Sequence, residues 1–173
     1  TPTASRAQLA LEPNGAKPAG SAVFAKAVID NVGYAEDIYG PLMSFFQSSG
    51  REVGRHLWYF PYDWRLDNAE HLALLDALVE KVLRETGKTK VNLVTHSMGG
   101  LVAKGYVHGI GARKVSKLIT MALPYRGGAF VFRGVAEGYD FGNPSMRPEL
   151  MKILLQNWPS AYQIYPRYRF IHD

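Results

Sequence analysis

The chain has 173 residues and no cysteine. This absence excludes disulfides, thiolate metal sites and cysteine nucleophiles, but it leaves the redox compartment open. The sequence also lacks a phosphate-loop pattern, and its histidines do not have metal-ligand spacing. We therefore expect neither a metal site nor a nucleotide or other cofactor.

Charge is modest, and long apolar runs are missing. The chain carries 20 basic and 15 acidic residues, a net charge of +5, and the basic residues are scattered, which argues against a nucleic-acid partner. No apolar run is long enough to span a bilayer, and the first residues lack the apolar core of a signal peptide. We therefore expect a soluble chain, in a compartment left unknown, with a length suited to one sizeable core.

The most informative feature is a strand-to-helix junction around Ser97. The apolar segment 90–95 leads into Ser97, Gly99 and Gly100, and apolar residues at helical spacing follow over 98–108. This is the pattern of a nucleophile elbow, in which a strained turn exposes a serine hydroxyl and points the next backbone N–H at a developing oxyanion. It predicts Ser97 as the nucleophile and the Met98 N–H as an oxyanion donor.

The glycines of this junction have expected roles, and one position departs from the pattern. We expect Gly99 to avoid a collision with the incoming strand and Gly100 to let the helix pack closely. Thr95 stands where the pattern usually has its first glycine. An ordinary strand-to-helix turn with a small polar residue is the alternative interpretation.

Helical and strand patterns alternate along the chain, which predicts an α/β fold with a mostly parallel sheet flanked by helices. The predicted segments are helix 35–48, strand 55–60, a helix from the capping sequence 67–70 to Gly87, strand 90–95, helix 98–108 and strand 115–122. Ligand sites in such sheets lie at the carboxyl ends of the strands. Only three strands are predicted, so we expect an incomplete sheet whose open edge favours self-association.

The composition changes at residue 125. Prolines then interrupt short helices such as 147–156, and many large aromatic side chains follow one another. This is typical of an aromatic-rich helical cap over an apolar pocket, although such rings also serve as ordinary core residues. We therefore predict a core over residues 1–124, irregular over 1–20, and a cap-like or lid-like segment of the same domain over 125–173.

Three motifs resemble the lecithin:cholesterol acyltransferase family of α/β-hydrolases. They are Phe-Pro-Tyr-Asp-Trp-Arg at 60–65, Val-Thr-His-Ser-Met-Gly-Gly at 94–100, and the segment 118–128 that ends in Pro-Tyr-Arg-Gly-Gly. The resemblance runs from about residue 34 to residue 165. It implies an α/β-hydrolase-like fold and transfer of an acyl group from a lipid-like ester to water or an alcohol, through an acyl-enzyme at Ser97. Peripheral contact with a lipid surface is a further expectation.

The resemblance also implies roles for residues beside the serine. Tyr62, Trp64 and Tyr125 are expected to line the substrate pocket. Asp63 and Arg65 occupy motif positions too, and we expect them to form an ion pair that fixes the loop next to the site.

An activated serine needs a histidine base that is held by a carboxylate, in the chain order serine, acid, histidine. His108 falls on the elbow helix and points away from the site, which leaves Asp140 and His172 as the acid and base available within this chain. The resemblance places the family's acid and histidine beyond the cap. It therefore implies that this chain lacks the complete triad.

The remaining histidines are not expected to act in catalysis. His96 precedes the nucleophile on a strand, where neighbouring side chains face opposite ways, so we expect it to pack rather than to act as a base. His56 and His71 belong to no motif and are expected at the surface.

Two functions remain open at this point. The first is a serine hydrolase or acyltransferase of lipid-like carboxylic esters. The alternative is a non-catalytic or truncated hydrolase-like module that binds apolar ligands or a partner without turnover. The sequence does not fix the acyl chain, the head group or the acceptor.

Overall fold

A computed structural model describes residues 9–18, 21, 23, 25, 31–32, 36–37, 39–139 and 147–169. The elements are β1 (Asn31–Val32), β2 (Glu36–Asp37), α1 (Gly40–Ser48), a 3-10 helix (Asn68–His71), α2 (Leu72–Thr86), β3 (Val91–His96), α3 (Gly99–His108), β4 (Val115–Met121), α4 (Ala129–Ala136), α5 (Pro148–Gln156) and α6 (Pro159–Gln163). In these ranges the longest helix, α2, has 15 residues, and none combines the length and apolar character that a membrane span needs.

β3 and β4 form a parallel pair, and α3 makes the crossover between them. Their register places Leu93 beside Leu118 and Val94 beside Ile119. β1 and β2 form a separate, short antiparallel pair. The predicted α/β class, with a short parallel sheet flanked by helices, is therefore confirmed, as are the strands predicted over 90–95 and 115–122.

The strand predicted over residues 55–60 is wrong. Apart from an isolated bridge between Val53 and Leu57, this segment pairs with no strand in the described ranges. Its aromatic and apolar residues favour a strand, but that preference reflects packing against neighbouring strands more than the backbone itself. Without a neighbour to pair with, the apolar run does not become a strand.

The first predicted helix begins later than expected, at Gly40 rather than near residue 35. Residues 36 and 37 are paired in β2, and Pro41 stands in the first turn of α1, where its missing N–H costs nothing. α1 buries none of its side chains, and Phe45 is 62% exposed. The amphipathic pattern therefore predicted the helix but not how weakly it packs.

The first of two cores lies between the parallel strands and the helices α2 and α3. We call it the elbow core, and its buried residues are Leu75, Val79, Val102, Tyr106 and Val115. The apolar stripe predicted for α2 is confirmed, because three of its residues, at the expected helical spacing, are buried. The Tyr106 hydroxyl donates a hydrogen bond of 2.8 Å to Asp76, so its polar end is satisfied.

The second core, the C-terminal core, joins the helices after residue 125 to the amino-terminal segment. Its buried residues are Leu11, Leu66, Val131, Val135, Met151, Leu154, Leu155, Trp158 and Ala161. The helix predicted over 147–156 is confirmed as α5. Trp158 is 2% exposed, and its Nε1 donates to the carbonyl oxygen of Leu9 at 3.2 Å. This ring is therefore a core residue, as the alternative interpretation of the aromatic segment expects.

Candidate active site

Ser97 occupies a strained bend at the junction of β3 and α3. Its φ is +49°, a left-handed value that costs a residue with a Cβ roughly 1–2 kcal/mol. Its backbone N–H donates to the carbonyl oxygen of Met121 at 2.9 Å, so a hydrogen bond to the neighbouring strand holds the bend. The Thr95 hydroxyl donates to the Ile119 carbonyl at 3.3 Å, so the polar side chain that replaces the usual glycine has a hydrogen-bond partner. The predicted elbow geometry is confirmed.

The two glycines of the elbow differ in what surrounds them. A Cβ on Gly100 would lie 2.8 Å from Cδ1 of Leu123, so the close packing expected of Gly100 is confirmed. Among the described residues, a Cβ on Gly99 would meet only the Tyr62 hydroxyl, at an ordinary 3.6 Å. The expected collision between a residue at 99 and the strand is therefore absent.

A cavity of about 1320 Å³ opens beside the elbow, and Ser97, Tyr62 and Trp64 line it. Phe130 of the aromatic segment lines it too, and so do Tyr39 and Ile164, which sequence patterns did not indicate. They come from distant parts of the chain and share no motif. The predicted pocket residue Tyr125 is not in this lining. It is 55% exposed, and the Lys104 Nζ lies 4.9 Å from its ring centroid, so its pocket role stays a prediction.

Ser97 is half-buried, and within the described ranges its hydroxyl has no hydrogen-bond partner. In the same ranges, no acceptor meets the Met98 backbone N–H.

Asp140 and His172 lie outside the described residues, so their roles as acid and base stay predictions. His108 is exposed at the far end of α3. Within the residues that the structure describes, no group of three or more histidine and acidic side chains is arranged to hold a metal ion.

His96 contacts Tyr39 at the edge of the site. Its Nδ1 lies 3.0 Å from the Tyr39 hydroxyl, and the two rings pack edge to face with centroids 5.7 Å apart. The ring is exposed at the end of β3. Burial raises the pKa of Tyr39, which keeps its hydroxyl protonated.

The prediction that His71 lies at the surface is wrong, whereas His56 is exposed as predicted. His71 is 2% exposed, and its Nε2 donates to the Asp63 carbonyl oxygen at 3.0 Å. Burial lowers its pKa, which favours the neutral ring. One signal was available, because His71 lies one turn before Leu75 on the buried face of α2.

The expected ion pair between Asp63 and Arg65 is confirmed. The guanidinium donates two hydrogen bonds to the carboxylate, at 2.8 and 2.7 Å, and its third nitrogen donates to the Leu9 carbonyl at 2.9 Å. The Lys17 Nζ lies 3.0 Å from the same carboxylate. Burial raises the pKa of Asp63, but hydrogen bonds from Arg65 and Lys17 and the charge of Arg65 outweigh it and lower the pKa to about 2.

Comparison with known proteins gives a family match and several similar sequences. A sequence model of the family described as lecithin:cholesterol acyltransferase matches residues 22–172. Lecithin-cholesterol acyltransferase-like 4 of Arabidopsis thaliana is 34% identical over 100 residues, 54% of this chain and 19% of that protein. Phospholipase A(1) LCAT3 of Arabidopsis thaliana is 35% identical over 83 residues, 45% of this chain and 19% of that protein.

A bacterial protein is also similar. A triacylglycerol lipase of Pseudarthrobacter phenanthrenivorans is 44% identical over 54 residues, 31% of this chain and 17% of that protein. The chain thus spans less than a fifth of the length of these relatives. The family model nevertheless covers most of the chain, and the short parallel sheet flanked by helices is that of an incomplete α/β-hydrolase-like fold. The chain therefore belongs to the lecithin:cholesterol acyltransferase family.

Proposed function

We propose that the protein is a serine hydrolase or acyltransferase that acts on lipid-like carboxylic esters through an acyl-enzyme at Ser97. One observation carries this proposal: a half-buried serine, whose hydroxyl has no partner in the described ranges, sits on a strained bend and lines a cavity of about 1320 Å³. Relatives named as a lipase, a phospholipase and an acyltransferase-like protein support the same class.

The proposed reaction is a two-step acyl transfer. The Ser97 Oγ forms a bond to the ester carbonyl carbon while its proton passes to a base, and the Met98 N–H donates to the oxygen that becomes negative. The carbon–oxygen bond to the leaving alcohol then breaks, and the alcohol takes up a proton. Water or a second alcohol then forms a bond to the acyl carbon and gives its proton to the base, and the bond from the acyl carbon to Oγ breaks as Oγ takes a proton back. His172 and Asp140 are the proposed base and acid available within this chain.

An apolar acyl group suits the cavity. Phe130 and Ile164 line it together with Trp64, and the Trp64 ring packs edge to face on the buried Trp158 at 4.7 Å. Because Phe130 and Ile164 follow residue 124 and face the same cavity as Ser97, they support the proposal that residues 125–173 act as a cap. Tyr62 and Tyr125 are the other proposed pocket residues.

Peripheral contact with a lipid surface is part of the proposal. Tyr125, Phe130 and Tyr162 are 55%, 54% and 48% exposed, and rings of this kind favour the boundary between water and lipid. The Arg126 guanidinium lies 5.5 Å from the Tyr168 ring centroid, which adds positive charge to this region. Co-sedimentation with anionic vesicles tests the contact, and protein that stays in the supernatant contradicts it.

Self-association through an open sheet edge is also proposed. In the described ranges, β3 and β4 each have a single partner strand, and Val94 and Ile119 are 41% and 49% exposed. Analytical ultracentrifugation over a range of concentrations is expected to show reversible association. A monomer at all concentrations contradicts it.

Covalent labelling and turnover test the main proposal together. A fluorophosphonate is expected to label Ser97, and Ser97→Ala is expected to lose both labelling and cleavage of short p-nitrophenyl esters. Absence of labelling in well-folded protein contradicts the proposal. Binding of apolar ligands without turnover favours the non-catalytic module, whereas turnover that His172→Ala abolishes excludes that alternative.

A further inference from the structure

The amino-terminal segment 9–17 contains no helix or strand, yet it is fixed to the rest of the molecule. Leu11 is 5% exposed and belongs to the C-terminal core. At the other end of the segment, the Lys17 Nζ lies 3.0 Å from the Asp63 carboxylate. The segment therefore has a defined position without regular secondary structure.

The backbone of Leu9 is held by two hydrogen bonds. Its carbonyl oxygen accepts one from the Arg65 guanidinium at 2.9 Å and one from the Trp158 Nε1 at 3.2 Å. Both donor side chains are 2% exposed, and hydrogen bonds that are shielded from water are electrostatically stronger than exposed ones. Because both bonds use the backbone carbonyl, they hold position 9 whichever side chain it carries.

The Leu9 side chain lines the same cavity as Ser97. It is 37% exposed, and it lies beside Trp64, because the Trp158 ring that donates to Leu9 also packs edge to face on Trp64 at 4.7 Å. Leu9 thus presents a fixed apolar surface to the cavity. An apolar ligand that fills this part of the cavity removes that surface from water, which favours binding.

The loop that begins at Tyr62 runs along the cavity from the elbow towards Leu9. The Tyr62 hydroxyl lies 3.6 Å from the position of a Cβ on Gly99 in the elbow. Trp64 follows two positions later, at most about 7 Å of extended chain, and it is the neighbour of Leu9. Leu9 is therefore separated from Ser97 by the length of this loop, where it would meet the far part of an acyl chain rather than the ester carbonyl.

We infer that the Leu9 side chain limits the length of the acyl chain that the cavity accepts. The inference rests on the proposed function and adds to it a residue that determines specificity. When the ester carbonyl lies at Ser97, a short acyl chain ends before it reaches Leu9, whereas a long chain meets this side chain. In an apolar pocket a single methylene group changes kcat/KM about tenfold or more, so the size of the residue at position 9 is enough to set the preference.

Two substitutions of opposite size test the inference, and both keep the backbone contacts of position 9. The value of kcat/KM is measured with p-nitrophenyl palmitate and p-nitrophenyl butyrate. Leu9→Phe fills the cavity, and we expect the ratio of palmitate to butyrate to fall about tenfold. Leu9→Ala enlarges the cavity, and we expect the ratio to rise by a similar factor. Loss of folded protein lowers both rates equally, so it leaves the ratio unchanged.

Leu74→Phe and Leu74→Ala are the matched controls. Leu74 is 60% exposed and is not among the described residues that line the cavity, so both variants should keep the wild-type ratio. If the Leu9 variants also keep that ratio while Ser97→Ala is inactive, the inference is wrong and the proposed function stands.

The remaining outcomes also decide. A ratio that moves in the same direction in both Leu9 variants would show that Leu9 contacts the acyl chain without limiting its length, and it would overturn the inference. Equal shifts in the Leu9 and Leu74 variants would do the same. If the wild-type protein is labelled nowhere by a fluorophosphonate and cleaves neither ester, the inference fails together with the proposed function.

Discussion

The elbow core and the C-terminal core are both apolar inside, but they differ in how they are joined to the rest of the chain. The elbow core is a stack of apolar side chains on the parallel strands, and its buried residues follow the helical and strand periods of the local sequence. The C-terminal core is tied to the rest of the chain by the charged and polar groups of Asp63, Arg65 and Ser160. Local pattern therefore explains the first core, whereas long-range polar contacts explain how the second is attached.

The site depends on both regions. Ser97 extends from β3 of the elbow core, whereas Phe130 and Ile164, which line the same cavity, come from the C-terminal region. The loop 62–65 connects them, because Tyr62 lies against the elbow and Arg65 accepts a hydrogen bond from Ser160 at its carbonyl. The effects of substitutions in the elbow core and in the C-terminal region can therefore be compared directly.

Loss of the Arg65 guanidinium should have the largest effect. The side chains of Arg65 and Asp63 are 2% and 8% exposed, so Arg65→Met leaves a buried carboxylate for which Lys17 is the one charged partner among the described residues, and it removes the contact to Leu9. Urea unfolding should show a loss of about 3–5 kcal/mol. The matched control is Arg55→Met, whose pair with Glu52 is exposed and should matter by less than about 1 kcal/mol. Similar losses in both variants would show that the buried ion pair does not hold the C-terminal core.

Leu75→Ala addresses the elbow core. Leu75 is 5% exposed and its neighbour Leu74 is 60% exposed, so the two variants delete the same atoms from a buried and an exposed position of α2. We expect a loss of about 3 kcal/mol in unfolding free energy for Leu75→Ala and less than about 0.5 kcal/mol for Leu74→Ala. Equal values by urea unfolding would contradict the assigned buried face.

Gly127→Ala tests the junction between the two regions. Gly127 has φ +82°, and a Cβ there would collide with the carbonyl group of Tyr165. Gly50 has φ +75° with nothing within 4 Å of its Cβ position, so Gly50→Ala measures the conformational cost alone, about 1 kcal/mol. We expect Gly127→Ala to lose about 2 kcal/mol or more by thermal unfolding, because the collision adds to that cost. A loss no larger than that of Gly50→Ala would show that the contact is dispensable.

The last comparison concerns the pH dependence of stability, which the Asp63 carboxylate should confine to acidic pH. The pKa of Asp63 is lowered to about 2 in the folded protein, against about 3.9 in an unfolded chain. The folded state therefore gains stability that is complete above pH of about 4 and is lost as the pH falls through about 2. Asp63→Asn should lose stability at pH 7 and show a weaker decline below pH 4. Parallel curves for the variant and the wild type would contradict the assignment.

The sequence was most informative where structure is local. Residues 90–108 combine an apolar strand, a serine followed by two glycines and a helical stripe, and these local patterns were enough to predict the bend at Ser97, which the hydrogen bond to Met121 then holds. The same holds for α2, where the spacing of apolar residues alone identifies the buried face.

Predictions failed where a distant partner decides the outcome. Residues 55–60 have the composition of a strand but no neighbour to pair with in the described ranges, and a single sequence does not reveal that. His71 was expected at the surface, but its Nε2 donates a hydrogen bond to the Asp63 carbonyl, which lowers the free-energy cost of burying the ring. The contact between Tyr39 and His96 spans 57 positions, and no motif marks it.

Trapping the acyl-enzyme tests the central claim most directly. Wild-type protein would be mixed with a short p-nitrophenyl ester, quenched in acid within the first turnover and digested for peptide mass spectrometry. Our account predicts one acyl mass on the peptide that contains Ser97, and none in Ser97→Ala. An acyl group on another residue, or p-nitrophenol release at the same rate in Ser97→Ala, would contradict it.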